Sequence, residues 1–231
     1  MIEPKRPHTT VVLAMTADGK ISDFQRSLAS FGSEADKNHL EKQISLVDGI
    51  IFGAGTLRVY GTSLPVTNLD LLANRKQQNK PPQPIHIVVS GSGKIDPNLR
   101  FFSQPVPRWL LTTHKGKNNW INNNSSGFDN ILLTNTKNDL KIDFIDAFKQ
   151  LKQLGLNKVG ILGGGELVAS LFKDNLIDEL WLTVCPLILG GTTSSTPVEG
   201  LGFLPEQAKH LNLLNVTQIG QEIFLHYQVH L

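Results

Sequence analysis

The residues Thr9–Ala17 (TTVVLAMTA) form a nearly unbroken apolar, β-branched run that stops abruptly at Asp18-Gly19. A strand sends alternate side chains to opposite faces of its sheet, so a run with no polar alternation must be covered on both faces. That condition belongs to a parallel sheet clothed by helices. Similar short runs recur at Asp48–Gly53 (DGIIFG), Ile85–Ser90 (IHIVVS), Arg108–Thr112 (RWLLT), Ile131–Thr134 (ILLT), Lys158–Leu162 (KVGIL) and Glu179–Val184. Helical spacing lies between them. Leu40, Ile44 and Val47 recur behind Ser33 and Asp36, a variant of the capping box, and predict a helix over Glu34–Leu46. Phe144, Ala147, Phe148 and Leu151 make one stripe over Asp143–Leu154, closed by Gly155 as a left-handed cap.

Leu69–Lys80 is expected as a frayed helix, stopped by Pro81, Pro82 and Pro84, which fix φ and remove donors. The Asn- and Ser-rich stretch Asn118–Gly127 favours turns and is expected as an exposed loop. Leu211–Ile219 and Ile223–His230, joined by Gly220-Gln221, read as an antiparallel hairpin. Strand and helix alternate through the first three quarters, so the expected class is α/β, mostly parallel with a C-terminal antiparallel hairpin. At 231 residues and 40% hydrophobic composition, one domain spanning 1–231 is the default.

Charge and cysteine usage remove several function classes. With 22 Lys+Arg against 20 Asp+Glu, the net charge is +2 and no basic stripe forms, so nucleic acid is not an expected partner. The single cysteine, Cys185, sits among Val184, Pro186 and Leu187 and reads as a buried, inert thiol in a reducing compartment. Met1–Pro7 lacks an apolar leader core and no run is long enough to span a bilayer, so a cytoplasmic protein without a membrane partner is expected. The seven histidines are scattered without ligand spacing, and no metal is predicted.

The strongest chemical signal is Gly163-Gly164-Gly165-Glu166-Leu167, set between a buried strand and the helix Glu166–Phe172. Glycines let backbone approach a phosphate, and the free amides of the following helix start carry partial positive charge toward it. The same run also serves as a simple tight connection. The dinucleotide fingerprint G-x-G-x-x-G is absent.

Several segments in one order resemble the RibD reductase family, a branch of the dihydrofolate-reductase-like proteins. They are Leu13–Ile21 with its Asp18-Gly19-Lys20 turn, Gly53-Ala54-Gly55-Thr56-Leu57-Arg58, Val88-Val89-Ser90, the glycine run, Asp178-Glu179-Leu180, and Pro186–Gly191. The resemblance extends from Pro7 to the C-terminus. It implies a three-layer dihydrofolate-reductase-like fold, NADPH as hydride donor, and a homodimer. It places Ala14 by the nicotinamide, and Gly53, Gly55, Thr56 and Ser90 on cofactor polar groups. Gly163, Gly164, Gly165, Glu166 and Leu167 surround the pyrophosphate. Lys20 is the catalytic candidate toward the substrate ribose, and Asp18 is either a second catalytic group or a turn residue. Ser90 and Thr56 retain plain alternatives, as a strand-ending turn residue and a helix cap, and Arg58 lies between cofactor phosphate and solvent.

The substrate half departs from the family pattern. Ile44 and Thr67 occupy positions where the family offers arginine, and Leu162 one where it offers glutamate; no zinc deaminase signature accompanies the reductase segment. Lysine does not replace the bidentate arginine fork toward phosphate. Three functions remain open: reduction of 5-amino-6-(5-phosphoribosylamino)uracil at ribose C1′, the same chemistry on another small carbonyl, imine or pterin-like compound, or nucleotide binding without turnover.

Overall fold

A computed structural model describes residues 5–28, 31–122, 126–134 and 141–230. In chain order the elements are β1 (His8–Thr16), α1 (Glu34–Leu46), β2 (Gly49–Gly53), α2 (Ala54–Tyr60), α3 (Leu69–Gln77), β3 (Ile85–Val89), β4 (Arg108–Thr112), α4 (His114–Asn122), β5 (Asn130–Leu133), α5 (Phe144–Gln153), β6 (Lys158–Ile161), α6 (Gly165–Lys173), β7 (Glu179–Cys185), β8 (Leu211–Ile219) and β9 (Glu222–Val229). The strands follow the order β5-β4-β3-β2-β6-β1-β7-β9-β8. β1 and β7 run parallel, as do β2 with β3, β3 with β4, and β4 with β5, whereas β9 is antiparallel to both β7 and β8. The expected α/β class with its terminal antiparallel hairpin is therefore met. None of the described helices is long and apolar enough to cross a membrane. The N-terminal residues 1–4 and the loop residues 123–125, on which two of the sequence expectations partly fall, lie outside the described residues.

The chain forms two compact units, Met1–His8 with Ile44–Val159, and Thr9–Gln43 with Gly160–Leu231. In the first unit, Ile50, Ile51, Ile87, Val88, Leu110 and Leu111 are fully covered, as double-faced burial of parallel strands requires. Each such side chain contributes about 1.5–3 kcal/mol by leaving water. Arg75 of α3 is only 2% exposed, and its guanidinium donates to the carbonyl oxygens of Ser45 and Val47 (2.8 Å each) and Pro81 (2.8 Å). It binds carbonyls at and just after the end of α1, where the helix leaves its last carbonyls without i+4 amides. The helix α3 is thus well formed, opened by Asn68 accepting from the amides of Asp70 and Leu71.

In the same unit, the expected loop over Asn118–Gly127 is corrected, because Asn118–Asn122 complete α4. Thr113 Oγ1 accepts from Gly116 N–H at the helix start, and Trp120, 2% exposed, packs on Phe102 and Phe128. Burial of one indole among aromatic partners outweighs the weak helix propensity of the asparagines.

In the second unit, β1 and β7 pair from Thr10–Glu179 to Thr16–Cys185, and α6 buries Leu167, Val168, Leu171 and Phe172. Ser33 caps α1, accepting from the amides of Ala35 (3.0 Å) and Asp36 (3.4 Å). The reciprocal acid is Glu222 of β9 instead of Asp36: its carboxylate accepts from Ser33 N–H (2.8 Å) and Ser33 Oγ–H (2.5 Å). Asp36 bonds Thr183, and burial raises its pKa, with Glu222 adding to the rise. Cys185 is fully buried and donates to Glu222 at 3.6 Å, and burial pushes its thiol up to about 12, so the inert thiol expected from sequence is met.

Candidate active site

The Asp18-Gly19-Lys20 turn hangs from Thr16, the buried last residue of β1. Thr16 N–H donates to Lys20 O (2.8 Å), Lys20 N–H donates to Thr16 Oγ1 (2.9 Å), and Gly19 N–H reaches Thr16 O (2.9 Å). The backbone of Lys20 is thereby fixed twice. Its half-exposed ammonium takes no hydrogen bond or ion pair from the described residues, which leaves it available to a ligand.

Asp18 has three donors of its own. Oδ1 accepts from Thr16 Oγ1 (2.5 Å) and Leu189 N–H (3.2 Å), and Oδ2 accepts from Gly190 N–H (2.6 Å). The Thr16 hydroxyl foremost, with the Gly190 and Leu189 amides, lowers its pKa to about 2. Such a group is a carboxylate at any working pH. Ala14, two residues before Thr16, is half-buried in β1 opposite Thr183 of β7.

The glycine run opens α6 in the same unit. Gly163 has φ +113°, a value that an L side chain rarely adopts, and Gly164 is the N-cap without any side-chain cap bond. Gly165 is glycine for a second reason: a Cβ there would run into the Thr196 carbonyl and the Glu199 side chain, and Glu199 N–H donates to Gly165 O (3.2 Å). Part of this glycine signal therefore reports a neighbouring loop rather than a ligand. Glu166 is exposed in the first helical turn, whereas Leu167 is 7% exposed and its amide already bonds Gly164 O (3.0 Å). A helix start without a side-chain cap bond still fits a bound anion, since first-turn amides lack helical acceptors.

In the first unit, Gly53 is the N-cap of α2, again without a side-chain cap, and a Cβ on exposed Gly55 would meet nothing within 4 Å. Thr56 follows inside α2. Arg58 is exposed and donates weakly to Lys94 O (3.4 Å). Ser90 closes β3; its hydroxyl accepts from Gly93 N–H (3.1 Å) and its carbonyl from Thr112 Oγ1 (2.5 Å), so the turn role open to it in sequence is observed. Ile44, which the resemblance sets at a family arginine position, is 1% exposed and belongs to the core.

Sequence reasoning marks Pro186–Gly191, the start of the loop after β7, only as a segment resembling the family, and gives no role to the rest of that loop. Ala17 N–H donates to Leu187 O (2.9 Å), Ile21 N–H to Ser195 O (2.9 Å), and Arg26 stands 3.8 Å from Glu199. The Asp18-Gly19-Lys20 turn and Pro186–Gly191 are each visible in the sequence, but their pairing is not, because the partners lie roughly 170 residues apart in the chain.

Known proteins resemble this chain in sequence and in fold. The 2,5-diamino-6-ribosylamino-4(3H)-pyrimidinone 5′-phosphate reductase of Archaeoglobus fulgidus is 24% identical over 216 residues, covering 94% of this chain and 95% of that protein. The riboflavin biosynthesis protein RibD of Buchnera aphidicola is 28% identical over 231 residues, covering 95% of this chain but only 59% of RibD. The crystal structure of a pyrimidine reductase-like protein from Corynebacterium diphtheriae has the same fold, with a TM-score of 0.82 at 19% identity over 97% of this chain and 92% of that one. The sequence pattern of the RibD C-terminal domain matches residues 7–225, and the chain belongs to that family.

Proposed function

We propose that the chain is an NADPH-dependent reductase of one domain that acts on a phosphoribosylaminopyrimidine, either 2,5-diamino-6-ribosylamino-4(3H)-pyrimidinone 5′-phosphate or 5-amino-6-(5-phosphoribosylamino)uracil. The observation that carries this is the match to the Archaeoglobus reductase over nearly the whole length of both chains. When bound, NADPH would supply the hydride for ribose C1′, so that with cleavage of the C1′–O4′ bond and a proton on O4′ the ribosyl group would become a ribityl chain with two added hydrogens. The protein's share is to hold donor and acceptor carbons in line, where positioning contributes on the order of 7–11 kcal/mol.

Gly163, Gly164 and Gly165 with the start of α6 hold the pyrophosphate, with Glu166 and Leu167 completing that turn, and Ala14 lies by the nicotinamide. Gly53, Gly55, Thr56 and Ser90 are cofactor contacts of the first unit. Lys20 anchors the substrate ribose through its unpaired ammonium. The protein works in the cytoplasm as a homodimer. A second substrate in the same chemistry is favoured by one observation: the first-helix position that would grip a phosphate is the buried Ile44.

The test is direct. Purified protein is mixed with NADPH and each pyrimidine phosphate, and the loss of NADPH absorbance is followed alongside the product mass, with NADH run in parallel. Oxidation of NADPH with a gain of two hydrogens is expected. NADPH binding without oxidation by either compound overturns the substrate assignment.

A further inference from the structure

The Asp18 carboxylate faces two ways. Toward its own turn it accepts from the Thr16 hydroxyl, which also receives the amide of Lys20. Away from the turn it accepts from the successive amides of Leu189 and Gly190, in a loop where Gly190 and Gly191 have φ +66° and +85°. Consecutive amides aimed at one carboxylate form an anion nest, here filled by the protein's own side chain. The same loop continues through Ser195, which accepts from Ile21 N–H, to Thr196 and Glu199, which lie against Gly165. One loop thus touches the turn that carries Lys20 and the turn that opens α6.

We propose that Asp18 is a positioning residue that latches the loop after β7 to the end of β1, and through that loop holds Lys20 and the Gly163–Gly165 turn in a fixed arrangement, without transferring a proton. The chemical reasons converge. All three donors to the carboxylate are hydrogen bonds within the protein, and charge-assisted bonds of this kind are about twice as strong as neutral ones. A carboxylate held at about 2 is also too weak a base, and too rarely protonated, to serve at neutral pH. The role assigned to Lys20 rests on the proposed function above; the latch itself rests on geometry.

Three variants test it: Asp18→Asn, Thr16→Val and the conservative Thr16→Ser. Asparagine turns one acceptor into a donor facing the loop amides, and valine removes the hydroxyl shared by Asp18 and Lys20. Hydrogen–deuterium exchange is measured on peptides covering residues 18–22, 163–167 and 187–191. NADPH oxidation is measured from pH 5.5 to 9 with kcat and KM separated. In Asp18→Asn and Thr16→Val, exchange in all three peptides rises about tenfold or more, KM rises and kcat falls, while the midpoints of the pH profile stay where they were. Thr16→Ser restores both readouts. The double variant is no worse than either single one, as groups sharing one network require.

If exchange is unchanged in Asp18→Asn while kcat collapses and a limb of the pH profile disappears, Asp18 transfers a proton and the proposal is overturned. Faster exchange at 187–191 alone, with kinetics intact, reduces Asp18 to a loop staple and overturns it too. Should the unaltered protein fail to oxidise NADPH with either pyrimidine, only the substrate assignment falls. The exchange at 18–22 and 163–167 still decides the latch.

Discussion

Two polar groups of the first unit, Arg75 and His86, are hidden, whereas the Lys20 turn of the second unit is partly open to water. Arg75 and His86 are 2% and 0% exposed, and their bonds end on carbonyl oxygens and on Ser63 Oγ. Asp18 and Lys20 use the same kind of bond at the surface of the turn after β1. The difference lies in what water can do when a bond is lost. A buried carbonyl without its donor bears the full desolvation cost, whereas an exposed amide without its acceptor is hydrated at once. Buried polar groups therefore weigh on whether the chain folds, and partly exposed ties on where the side chains of the turn stand.

Arg75 gives the largest expected effect. Arg75→Met keeps the stem but abandons three carbonyl oxygens, two of them at the end of α1, and is expected to lower stability by about 3–5 kcal/mol in urea titration. Arg75→Lys recovers only part of it, because one ammonium cannot span the fork. Wild-type stability in Arg75→Met would break the comparison, by showing that water reaches those carbonyls.

Lys20→Met sharpens the other half. The ammonium goes and the stem remains, so catalytic efficiency is expected to fall on the order of a hundredfold, about 2.7 kcal/mol, with NADPH affinity and melting temperature nearly unchanged. Equal losses in cofactor binding and turnover would move Lys20 to the cofactor side.

His86 carries the contrast into pH. Burial pushes its pKa to about 3 from an ordinary 6.5, with Arg108 adding to the fall, so the folded ring stays neutral and Nδ1 pairs with Ser63 Oγ at 2.7 Å. Because the folded pKa is depressed, this stability is complete above about pH 6.5 and is lost as pH falls toward 3, where the unfolded chain binds the extra proton. The expected slope reaches about 1.4 kcal/mol per pH unit, and His86→Gln flattens it in urea titrations between pH 6 and 4. An identical slope in the variant would assign the acid limb to other groups.

Legibility in the sequence divides along a related line. β1, α5 and the hairpin declare themselves in short windows, since period and turn chemistry are local. Two features fail because their cause is remote. The α4 helix depends on Trp120 meeting Phe102 and Phe128, and the acid that completes the α1 cap comes from Glu222, 189 residues beyond Ser33. The candidate site shows the same split: Lys20, the glycine run and Pro186–Gly191 are visible locally, but that the loop crowds Gly165 and binds Asp18 is visible only once the chain has folded.

The hairpin supplies the smallest effect on stability and the last prediction. β8 is the final strand of the sheet order, and Leu211, Leu213, Leu214, Val216 and Ile219 are between 39% and 54% exposed along it. β9 behaves differently, burying Phe224 and Val229, so the apolar surplus sits on the outer strand. A register shift between Leu213 and Asn215 bends that strand without covering it. No lysine, arginine or proline guards it, although edge strands are commonly protected by such residues. A two-fold partner laying the same strand against this one would bury these side chains on both copies. Val216→Lys places a charge in the middle of the strand; as a surface change it is expected to alter stability by no more than about 0.5 kcal/mol. Light scattering at micromolar concentration is expected to give twice the 25.5 kDa chain mass for the unaltered protein and the single mass for Val216→Lys. A single mass for both would sink the dimer and leave β8 as an edge exposed to water.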